Sequence, residues 1–556
     1  MNLPEPQTRT FSTLISEIEK GQIKIPQFQR DFVWTIQKSA GLIDSVIKGY
    51  PIGTFIFWKT KDRLRSIRDI GSQLLPEPEP EESVDYVLDG QQRLTSLYAC
   101  LKGIQIKRED SSKIDDFSQI YINLESNEDE KIVSTEIESE DGNNYISILD
   151  LLTGDFTVLA SYPSKYHEKL KLYKNRIESY QYSIIQVKYA PIDIATEIFT
   201  RINVGGKALS LFEIMVAKTF DFEKDFDLSE KYEQLIDNLK PHNYETISDA
   251  TVLQVVSMII SKECKRQVIL KLDKNKFIDT WDNAIDAIER AIEYFKNYYR
   301  IPVSQLLPYN ALIVPFSYFF FHHKDKPTGD KQKYLQDFFW RCSLSGRYSS
   351  SVESKLAQDI KRIDTILKGE LPNYDWSIDS SKQFIIDNGW FSAGRSYIKA
   401  ILCIYAYHQP KSFNDNSLVN ISNYWLKQAN SKNYHHFFPK SYLSKQGEDD
   451  FYINHILNIT IVDDFLNKRE IGAKSPSHYM KKFKKINPDI ESSMKSHLID
   501  DLDKFGIWED DYDKFFEQRA ILVKKEIGKR IIKQDIDKRS QPEIQDDYEE
   551  EASVSE

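Results

Sequence analysis

The sequence has few cysteines and no metal-binding cysteine pattern. Its 4 cysteines, Cys100, Cys264, Cys342 and Cys403, are scattered through 556 residues, and no two are spaced as CxxC. Zinc ribbons and disulfide frameworks both need closely spaced or paired cysteines. We therefore expect reduced cysteines in hydrophobic cores and neither of these two kinds of site.

Long hydrophobic runs are also absent. The chain contains no run of about 18 apolar residues, the length that a membrane-spanning helix requires. The first residues, MNLPEPQTRTF, lack the charged and then apolar regions of a signal peptide. The sequence thus predicts a cytoplasmic protein with no membrane partner, divided because of its length into roughly two to four domains.

Positive charge is in deficit, because the formal net charge is -11 at pH 7. A protein that coats nucleic acid non-specifically neutralises many phosphates with Lys and Arg, so this class is excluded. One stretch is locally basic, since residues 431–485 hold ten Lys or Arg against six Asp or Glu. Any nucleic-acid site should therefore be local, and this stretch is the candidate.

The residue pattern changes along the chain. Short β-rich runs at 52–58 and 84–88 alternate with helical patterns in the first part, whereas apolar residues later repeat at three and four positions. We predict an α+β multidomain protein. Its expected parts are an α/β domain over 1–222, an all-α connector over 223–410, a third domain over 411–540 and an acidic disordered tail over 541–556.

A polar motif, DGQQR, runs from Asp89 to Arg93 between a strand-like run and a helix-like segment. The N-terminus of a helix presents unpaired N–H groups and the positive end of the helix dipole, which suits a phosphate. Arg93 adds a forked cation for phosphate oxygens, and Asp89 adds an oxygen ligand for magnesium. From the residues alone, a nucleotide site and a purely structural role both stay open.

A second polar segment, FTRINVGGKALSLFE at 199–213, combines Arg201 and Asn203 with a glycine turn. Ser210 and Glu213 fit a capping box, which places Gly206 just before a helix, where the backbone can approach an anion. The Walker A pattern GxxxxGK[ST] occurs nowhere in the sequence, so a P-loop is excluded.

Four motifs in order, IPQFQRDFVW, GYPIGTFIFW, YVLDGQQRLTSLYA and FTRINVGGKALSLFE, together resemble the N-terminal domain of GmrSD-like modification-dependent (type IV) restriction endonucleases. The resemblance implies a ParB/sulfiredoxin-like fold, nucleoside triphosphate binding and hydrolysis, and the sensing of modified DNA. It leaves open which of GTP, UTP, CTP or ATP is preferred. The residues predicted to bind the nucleotide are Arg30, Asp89, Gly90, Gln91, Gln92, Arg93, Arg201, Asn203 and Gly206.

Two histidine pairs pose a separate question. His435 and His436 lie in NYHHFFPKSYL, and His322 and His323 lie in FFFHHK. The second pair follows an apolar run with no acid or amide motif at a useful spacing, so we predict packed or helix-end histidines there. The first pair lies in the basic stretch and precedes two asparagines that are nine residues apart.

The segment from His435 to Tyr479 resembles a His-Asn-His (HNH) ββα-metal nuclease. The resemblance implies that His436 is the general base, that His435 and Asn467 bind Mg²⁺, and that Asn458 holds the loop or orients the His436 ring. Because imidazole is a softer ligand than Mg²⁺ prefers, Mn²⁺ or another divalent ion is also expected to work. The expected contacts with the DNA backbone are Lys440, Lys468, Arg469 and Lys474.

Together these resemblances predict a nucleotide-regulated, metal-dependent DNA endonuclease or nickase that restricts foreign, modified DNA in antiphage defence. DNA and a nucleoside triphosphate are the expected partners, and a homo-oligomer stays open. Two alternatives also stay open: a nucleotide-switched ParB-like DNA-binding module without cleavage, and a phosphotransferase. The sequence does not tell which modification is sensed or whether the nucleotide activates cleavage.

Overall fold

The computed structural model describes residues 3–26, 29, 32–62, 64, 66–68, 70, 75–76, 78–79, 81–107, 114–137, 144–202, 210–221, 223–423, 434–462 and 471–538. The chain forms two compact units, Met1–Leu228 and Ser229–Glu556. Within the described ranges, no helix is long and apolar enough to cross a membrane. All four cysteines are buried and unpaired, as predicted.

The first unit combines one large sheet with two small ones. Its strands are β1 (Glu5–Thr10), β2 (Ile23–Pro26), β3 (Phe55–Thr60), β4 (Ser66–Arg68), β5 (Val84–Asp89), β6 (Gln105–Lys107), β7 (Ile114–Asp116), β8 (Tyr121–Asn123), β9 (Val133–Ser134), β10 (Tyr145–Ser147) and β11 (Gln181–Lys188). The large mixed sheet has the order β1-β11-β3-β5-β2-β4. The small sheets are β10-β8-β9 and β6-β7.

The centre of the large sheet determines where the DGQQR motif lies. β3 and β5 are rich in aromatic and β-branched residues, which favour strands. They pair antiparallel with Ile56 opposite Asp89, and β11 pairs parallel with β3 so that Ile184 lies opposite Phe55. The end of β5 therefore lies beside the starts of β3 and β11.

Several helices of the first unit pack apolar residues into one core with the large sheet. They are α1 (Phe11–Glu19), α2 (Ile36–Ile47), α3 (Gln91–Lys102), α4 (Ile148–Thr153), α5 (Phe156–Ala160), α6 (His167–Ser179), α7 (Ile192–Ile202) and α8 (Leu211–Thr219). The core joins Phe55, Val87 and Leu94 with apolar residues of α1, α2 and α6. At the start of α8, Ser210 and Glu213 form the predicted capping box.

The second unit is mostly helical. Its helices are α9 (Leu228–Leu239), α10 (Asp249–Ser261), α11 (Arg266–Lys271), α12 (Lys274–Asn297), α13 (Ile313–His322), α14 (Gly329–Ser343), α15 (Val352–Leu367), α16 (Lys382–Asp387), α17 (Ser396–Tyr407), α18 (Lys440–Gln446), α19 (Asp450–Ile453), α20 (Pro476–Ile486), α21 (Ile490–Ser496) and α22 (Tyr512–Gly528). α9, α10, α12 and α15 confirm the helices expected from the apolar repeat.

The pair His322–His323 lies at the end of α13. The ring centroid of His322 is 4.6 Å from that of Tyr318, and the centroid of His323 is 5.3 Å from that of Phe319. Of the two predicted forms, packed or helix-end, the helix-end form is confirmed: His322 is exposed and ends α13, and His323 follows it.

Two short strands in the second unit, β12 (Tyr434–His436) and β13 (Ile459–Ile461), form an antiparallel ribbon. Behind it, the buried Arg519 of α22 donates from Nη2 to the carbonyl oxygen of Ile459 at 3.0 Å. Its guanidinium carbon lies 4.8 Å from the ring centroid of Tyr405 in α17. Because a buried cation is costly without acceptors, these contacts tie the ribbon to both helices.

The fold is mixed α+β, as the sequence predicted. The ParB/sulfiredoxin-like and HNH assignments stay predictions, and so do the boundaries at residues 222, 410 and 540. The acidic tail over 541–556 lies outside the described residues.

Candidate functional sites

The DGQQR motif forms the turn between β5 and α3. Gly90 has φ +94°, in the left-handed region that favours glycine. A Cβ atom at this position would lie 2.5 Å from Cδ1 of Phe55, so no other side chain fits. Among the described residues, no side chain caps the N-terminus of α3. A helix N-terminus of this kind attracts anions.

Arg93, in the first turn of α3, binds protein oxygens. Its Nη1 donates to the carbonyl oxygen of Ile52 at 2.8 Å, and its Nη2 donates to that of Thr54 at 3.0 Å and to Oδ2 of Asp89 at 3.1 Å. Its guanidinium carbon lies 5.1 Å from the ring centroid of Phe55. Arg93 therefore holds the loop before β3, and binding a phosphate through Nη1 or Nη2 requires exchange of at least one of these bonds.

Gly53 lies between the two carbonyl groups that Arg93 binds. Its φ is +88°, and a Cβ atom there would lie 2.2 Å from Nη1 of Arg93. This glycine was not among the residues predicted from the sequence. Its signal was the proline and glycine of GYPIGTF directly before a strand, a pattern typical of a tight turn.

The glutamines of this region hold the surrounding loops. Oε1 of Gln92 accepts a hydrogen bond from the backbone N–H of Val33 at 2.8 Å, and Nε2 of Gln29 donates to the carbonyl oxygen of Val87 at 2.8 Å. Gln91, Gln92 and Gln29 are all buried. Gln29 was not predicted, although it belongs to the quoted motif IPQFQRDFVW. These contacts give the glutamines a scaffolding role, and their role toward a nucleotide stays a prediction.

A pocket of about 370 Å³ opens beside the same loop. It is lined by residues of the loop from Gly49 to Thr54 and by Tyr180, Gln181 and Ser183 at the start of β11. Among the described residues, its lining includes no charged side chain. The pocket thus suits an uncharged polar group rather than a phosphate, and it shares the Arg93-bound loop as a wall.

The remaining residues predicted to bind the nucleotide are only partly described. Arg201 is exposed on α7 and pairs with Glu197 at 2.6 Å. Arg30, Asn203 and Gly206 lie outside the described residues. For these four residues, the nucleotide contact stays a prediction.

The ribbon of the second unit carries both histidines of the predicted nuclease. His436 pairs with Ile459, and His435 pairs with Thr460. Because successive side chains of a strand point to opposite faces, the two imidazoles have different surroundings. His435 is only 4% exposed, whereas His436 is partly exposed. Of the two rings, only that of His436 reaches solvent to an appreciable extent.

Asn458 holds the backbone that follows the histidines. Its Oδ1 accepts from the N–H of Phe438 at 2.9 Å, and its Nδ2 donates to the carbonyl oxygens of Phe438 and Ile453, both at 3.0 Å. The side chain is fully buried. These bonds match the first of its two predicted roles, holding the loop.

The ring of His436 is instead bound by Asn454. The distance from Nε2 of His436 to Oδ1 of Asn454 is 3.2 Å. Burial lowers the pKa of His436, while the hydrogen bond with Asn454 raises it and the charge of Lys440 lowers it. The net effect is a pKa below the ordinary value of 6.5, so the ring is neutral at pH 7. Asn454 was not predicted from the sequence, because the contact spans 18 residues.

His435 has an unusual environment for a histidine. Burial, followed by the nearby His436 and His497, lowers its pKa to about 3. Its Nδ1 is buried and has no hydrogen-bond partner among the described residues. Within those residues, no group of three or more His, Cys, Asp or Glu side chains is arranged to hold a metal ion. The other predicted ligand, Asn467, lies outside them.

The contacts of His455 give it a structural role in the core. Its Nε2 lies 2.9 Å from the carbonyl oxygen of Ile386, and its Nδ1 accepts from the N–H of Leu457 at 3.1 Å. Both ring nitrogens are thereby used, and burial lowers the pKa to about 4. A Cβ atom on Gly389 would lie 1.9 Å from Nε2 of this ring. His455 is thus a packed core histidine beside the ribbon.

Two of the four residues expected to contact DNA are described. Lys440 at the start of α18 is exposed, and its Nζ lies 4.0 Å from Oδ1 of Asp450. Lys474 is exposed shortly before α20. Lys468 and Arg469 lie outside the described residues. The DNA contacts of all four stay predictions.

The first unit matches a known family. Residues 11–220 match the family model of the GmrSD restriction endonuclease N-terminal domain. The match includes the DGQQR turn, the loop that Arg93 holds and helix α8, and it ends before the β12–β13 ribbon. It supports the predicted relationship to GmrSD restriction endonucleases and, in general terms, DNA-directed restriction.

A second comparison extends over both units. An uncharacterized protein of Methanocaldococcus jannaschii is 25% identical to this chain over an alignment 598 residues long. The alignment covers 94% of this chain and 98% of that protein. The likeness shows that a similar chain of nearly the same extent occurs in that organism.

Proposed function

We propose that this protein is a nucleotide-regulated, divalent-metal-dependent DNA endonuclease or nickase that restricts foreign, modified DNA. The observation that supports the proposal most is the match of residues 11–220 to the GmrSD restriction endonuclease N-terminal domain. A partly exposed, neutral histidine on the β12–β13 ribbon adds a group that fits phosphodiester hydrolysis.

His436 is the proposed general base. A base for water must be neutral at the working pH and must lie within reach of solvent and substrate. The lowered pKa of His436 meets the first requirement, and its partial exposure meets the second. Lys440, four residues further along the chain, is the proposed contact for a neighbouring phosphate of the same DNA strand.

His435 is the proposed metal ligand. An unsatisfied polar atom in the interior costs about 1–3 kcal/mol, and the orphan Nδ1 of His435 would gain a partner from a metal ion. This orphan nitrogen is the observation that supports a metal ligand at His435, and Asn467 is the proposed second ligand from the protein. Such an ion supplies Lewis-acid stabilisation of the phosphorane and of the leaving oxygen. Mg²⁺ and Mn²⁺ are both proposed, because imidazole favours the softer ion.

The DGQQR turn is the proposed nucleoside triphosphate site. The uncapped N-terminus of α3 suits phosphate oxygens, and Asp89 offers a carboxylate at the same turn. Arg30, Arg201, Asn203 and Gly206 complete the proposed contacts. The identity of the base stays open among GTP, UTP, CTP and ATP.

The nuclease proposal is tested by incubating the protein with modified and unmodified plasmids, with and without divalent metal and nucleotide. We expect metal-dependent cutting that His436→Ala lowers by about 10²–10⁴-fold, the usual contribution of a general base. His478→Ala is the matched control, because this exposed histidine lies in the same unit and should not change the rate. Nucleotide-dependent DNA binding without cutting by the parent protein would instead favour the ParB-like binding module.

The nucleotide proposal is tested with Arg93→Ala. Loss of the guanidinium frees the loop before β3 and removes the proposed phosphate contact, so triphosphate turnover should fall. Arg176→Ala is the matched control, since Arg176 also binds a backbone carbonyl oxygen, that of Ile47 at 3.1 Å, and a carboxylate, that of Glu128. Equal turnover by Arg93→Ala and the parent contradicts the assignment. Transfer of labelled γ-phosphate to another molecule would favour the phosphotransferase.

A further inference from the structure

Asn454 is anchored on three sides in the loop that follows α19. Its backbone N–H donates to the carbonyl oxygen of Asp450 at 3.0 Å, and its side-chain Nδ2 donates to the same oxygen at 3.1 Å. Its own carbonyl oxygen accepts from the N–H of Phe391 at 2.8 Å. The amide side chain is therefore held in one place and in one orientation.

That orientation determines which atom faces His436. If the amide were flipped, its oxygen would face the carbonyl oxygen of Asp450, and two acceptors would repel each other. With Nδ2 on Asp450, Oδ1 is the atom that lies 3.2 Å from Nε2 of His436. An amide oxygen only accepts hydrogen bonds, so Nε2 of a neutral His436 must be the protonated nitrogen.

We propose that Asn454 is the positioning residue of His436: it holds the ring as the Nε2–H tautomer and so leaves Nδ1 as the nitrogen that accepts a proton from water. This inference rests on the proposed endonuclease function. Within the described residues, the hydrogen bond of the His436 ring is made through Nε2, so Nδ1 is left to accept a proton from water.

Asn458 does not perform this task. Its oxygen and its nitrogen are both bound to the backbone of Phe438, and its nitrogen also to Ile453. The resemblance to HNH nucleases implied that Asn458 either holds the loop or orients the His436 ring; in the structure, two different asparagines occupy the positions for these two roles. Asn458 fixes the turn, and Asn454 fixes the ring.

The expected effect is on the chemical step. Loss of a hydrogen bond that orients a functional histidine typically lowers activity by about 10–100-fold. We expect Asn454→Ala to lower kcat for DNA cleavage by a factor in this range and to leave KM for DNA within about twofold, because Asn454 does not touch the proposed phosphate contacts.

The matched control is Asn388→Ala. Asn388 also donates from Nδ2 to the carbonyl oxygen four residues earlier, that of Phe384 at 3.0 Å, and it does not contact His436. This variant should lose the same local bond and keep kcat. If Asn454→Ala stays folded and cuts as fast as the parent, or if it raises KM for DNA and leaves kcat unchanged, the proposal is wrong.

A second measurement separates this inference from the endonuclease proposal. In the full chain labelled with ¹⁵N-histidine, the ring nitrogens of His436, assigned by comparison with His436→Gln, report its tautomer without any cleavage. We expect protonated Nε2 in the parent and in Asn388→Ala, and a mixture of tautomers in Asn454→Ala. A parent ring protonated on Nδ1 overturns the inference even if the protein cuts DNA. If Nε2 is protonated as expected but the protein does not cut DNA, the endonuclease proposal is wrong and the inference on the tautomer stands.

Discussion

Gly53 and Gly49 lie in the same loop, and both have a positive φ, +88° and +72° respectively. Their surroundings differ. A Cβ atom on Gly53 would lie 2.2 Å from Nη1 of Arg93, whereas a Cβ atom on Gly49 would have no neighbour within 4 Å. At the scale of single residues, the loop before β3 therefore requires glycine for two separable reasons, backbone conformation at both positions and the close approach of Arg93 at one.

This pair gives a prediction on stability. Gly49→Ala should cost only the strain of a left-handed alanine, about 1–2 kcal/mol. Gly53→Ala should cost more, because Arg93 must also give up its bonds to Ile52 and Thr54, each worth roughly 1.5–3 kcal/mol as a bond to a charged donor. Urea unfolding of the two variants gives the free energy of unfolding. Equal losses would show that Arg93 does not hold this loop.

At the scale of elements, the β12–β13 ribbon is too short to be stable alone, and buried polar side chains fix it in place. Arg519 binds its carbonyl groups from behind, Asn458 closes the turn that follows β12, and His455 caps the helical turn before β13. His497 is also buried there and lies 2.8 Å from the carbonyl oxygen of Lys411. Each of these groups is polar and loses its water on folding, so each must keep its partners.

The buried histidines predict how stability depends on pH. Burial lowers the pKa of His455 and of His497 to about 4, from an ordinary value of 6.5. Between these pH values the unfolded chain binds a proton at each histidine and the folded chain does not. The contribution of these two histidines to the free energy of unfolding is therefore complete above about pH 6.5. It falls as the pH drops toward 4, by up to about 1.4 kcal/mol per pH unit for each histidine.

Urea unfolding at several pH values between 4 and 7.5 measures this slope. His497→Asn should flatten it, whereas His478→Asn should not, because His478 is exposed. A parent protein whose stability stays constant over this range would contradict the burial of these rings as neutral groups.

At the scale of the whole molecule, the net charge of -11 limits how DNA can bind. An acidic chain attracts DNA only where cations concentrate, and the stretch from 431 to 485 is such a place. The match of residues 11–220 to a restriction endonuclease domain supports DNA as the partner in general terms. A small number of phosphate contacts is therefore expected, with a shallow dependence of affinity on salt.

The salt dependence predicts the contribution of a single lysine. Each phosphate contact contributes about 0.9 to the slope of log affinity against log salt concentration. Lys440→Ala should lower the slope by about this amount and weaken binding to all sequences alike. Lys240→Ala is the control, since Lys240 is exposed in the same unit but outside the basic stretch. Titrations of labelled DNA at several salt concentrations measure both variants, and an unchanged slope for Lys440→Ala would remove it from the proposed site.

The sequence by itself determined the type of several main elements, because periodicity and turn residues act locally. The strands around 52–60 and 84–89, helices α9, α10, α12 and α15, the capping box at Ser210 and the helix-end pair His322–His323 all followed from residues close in the chain. The order of the motifs also predicted the GmrSD relationship that the family match supports.

Only the tertiary structure decided which polar groups meet. Arg93 binds carbonyl groups 39 and 41 residues away, and His436 meets Asn454 across 18 residues rather than Asn458. Such partners depend on how strands register and how loops return to them, and neither quantity is visible in a local pattern. The physical reason is that a hydrogen bond depends on distance and direction in space, whereas a sequence motif records only order along the chain.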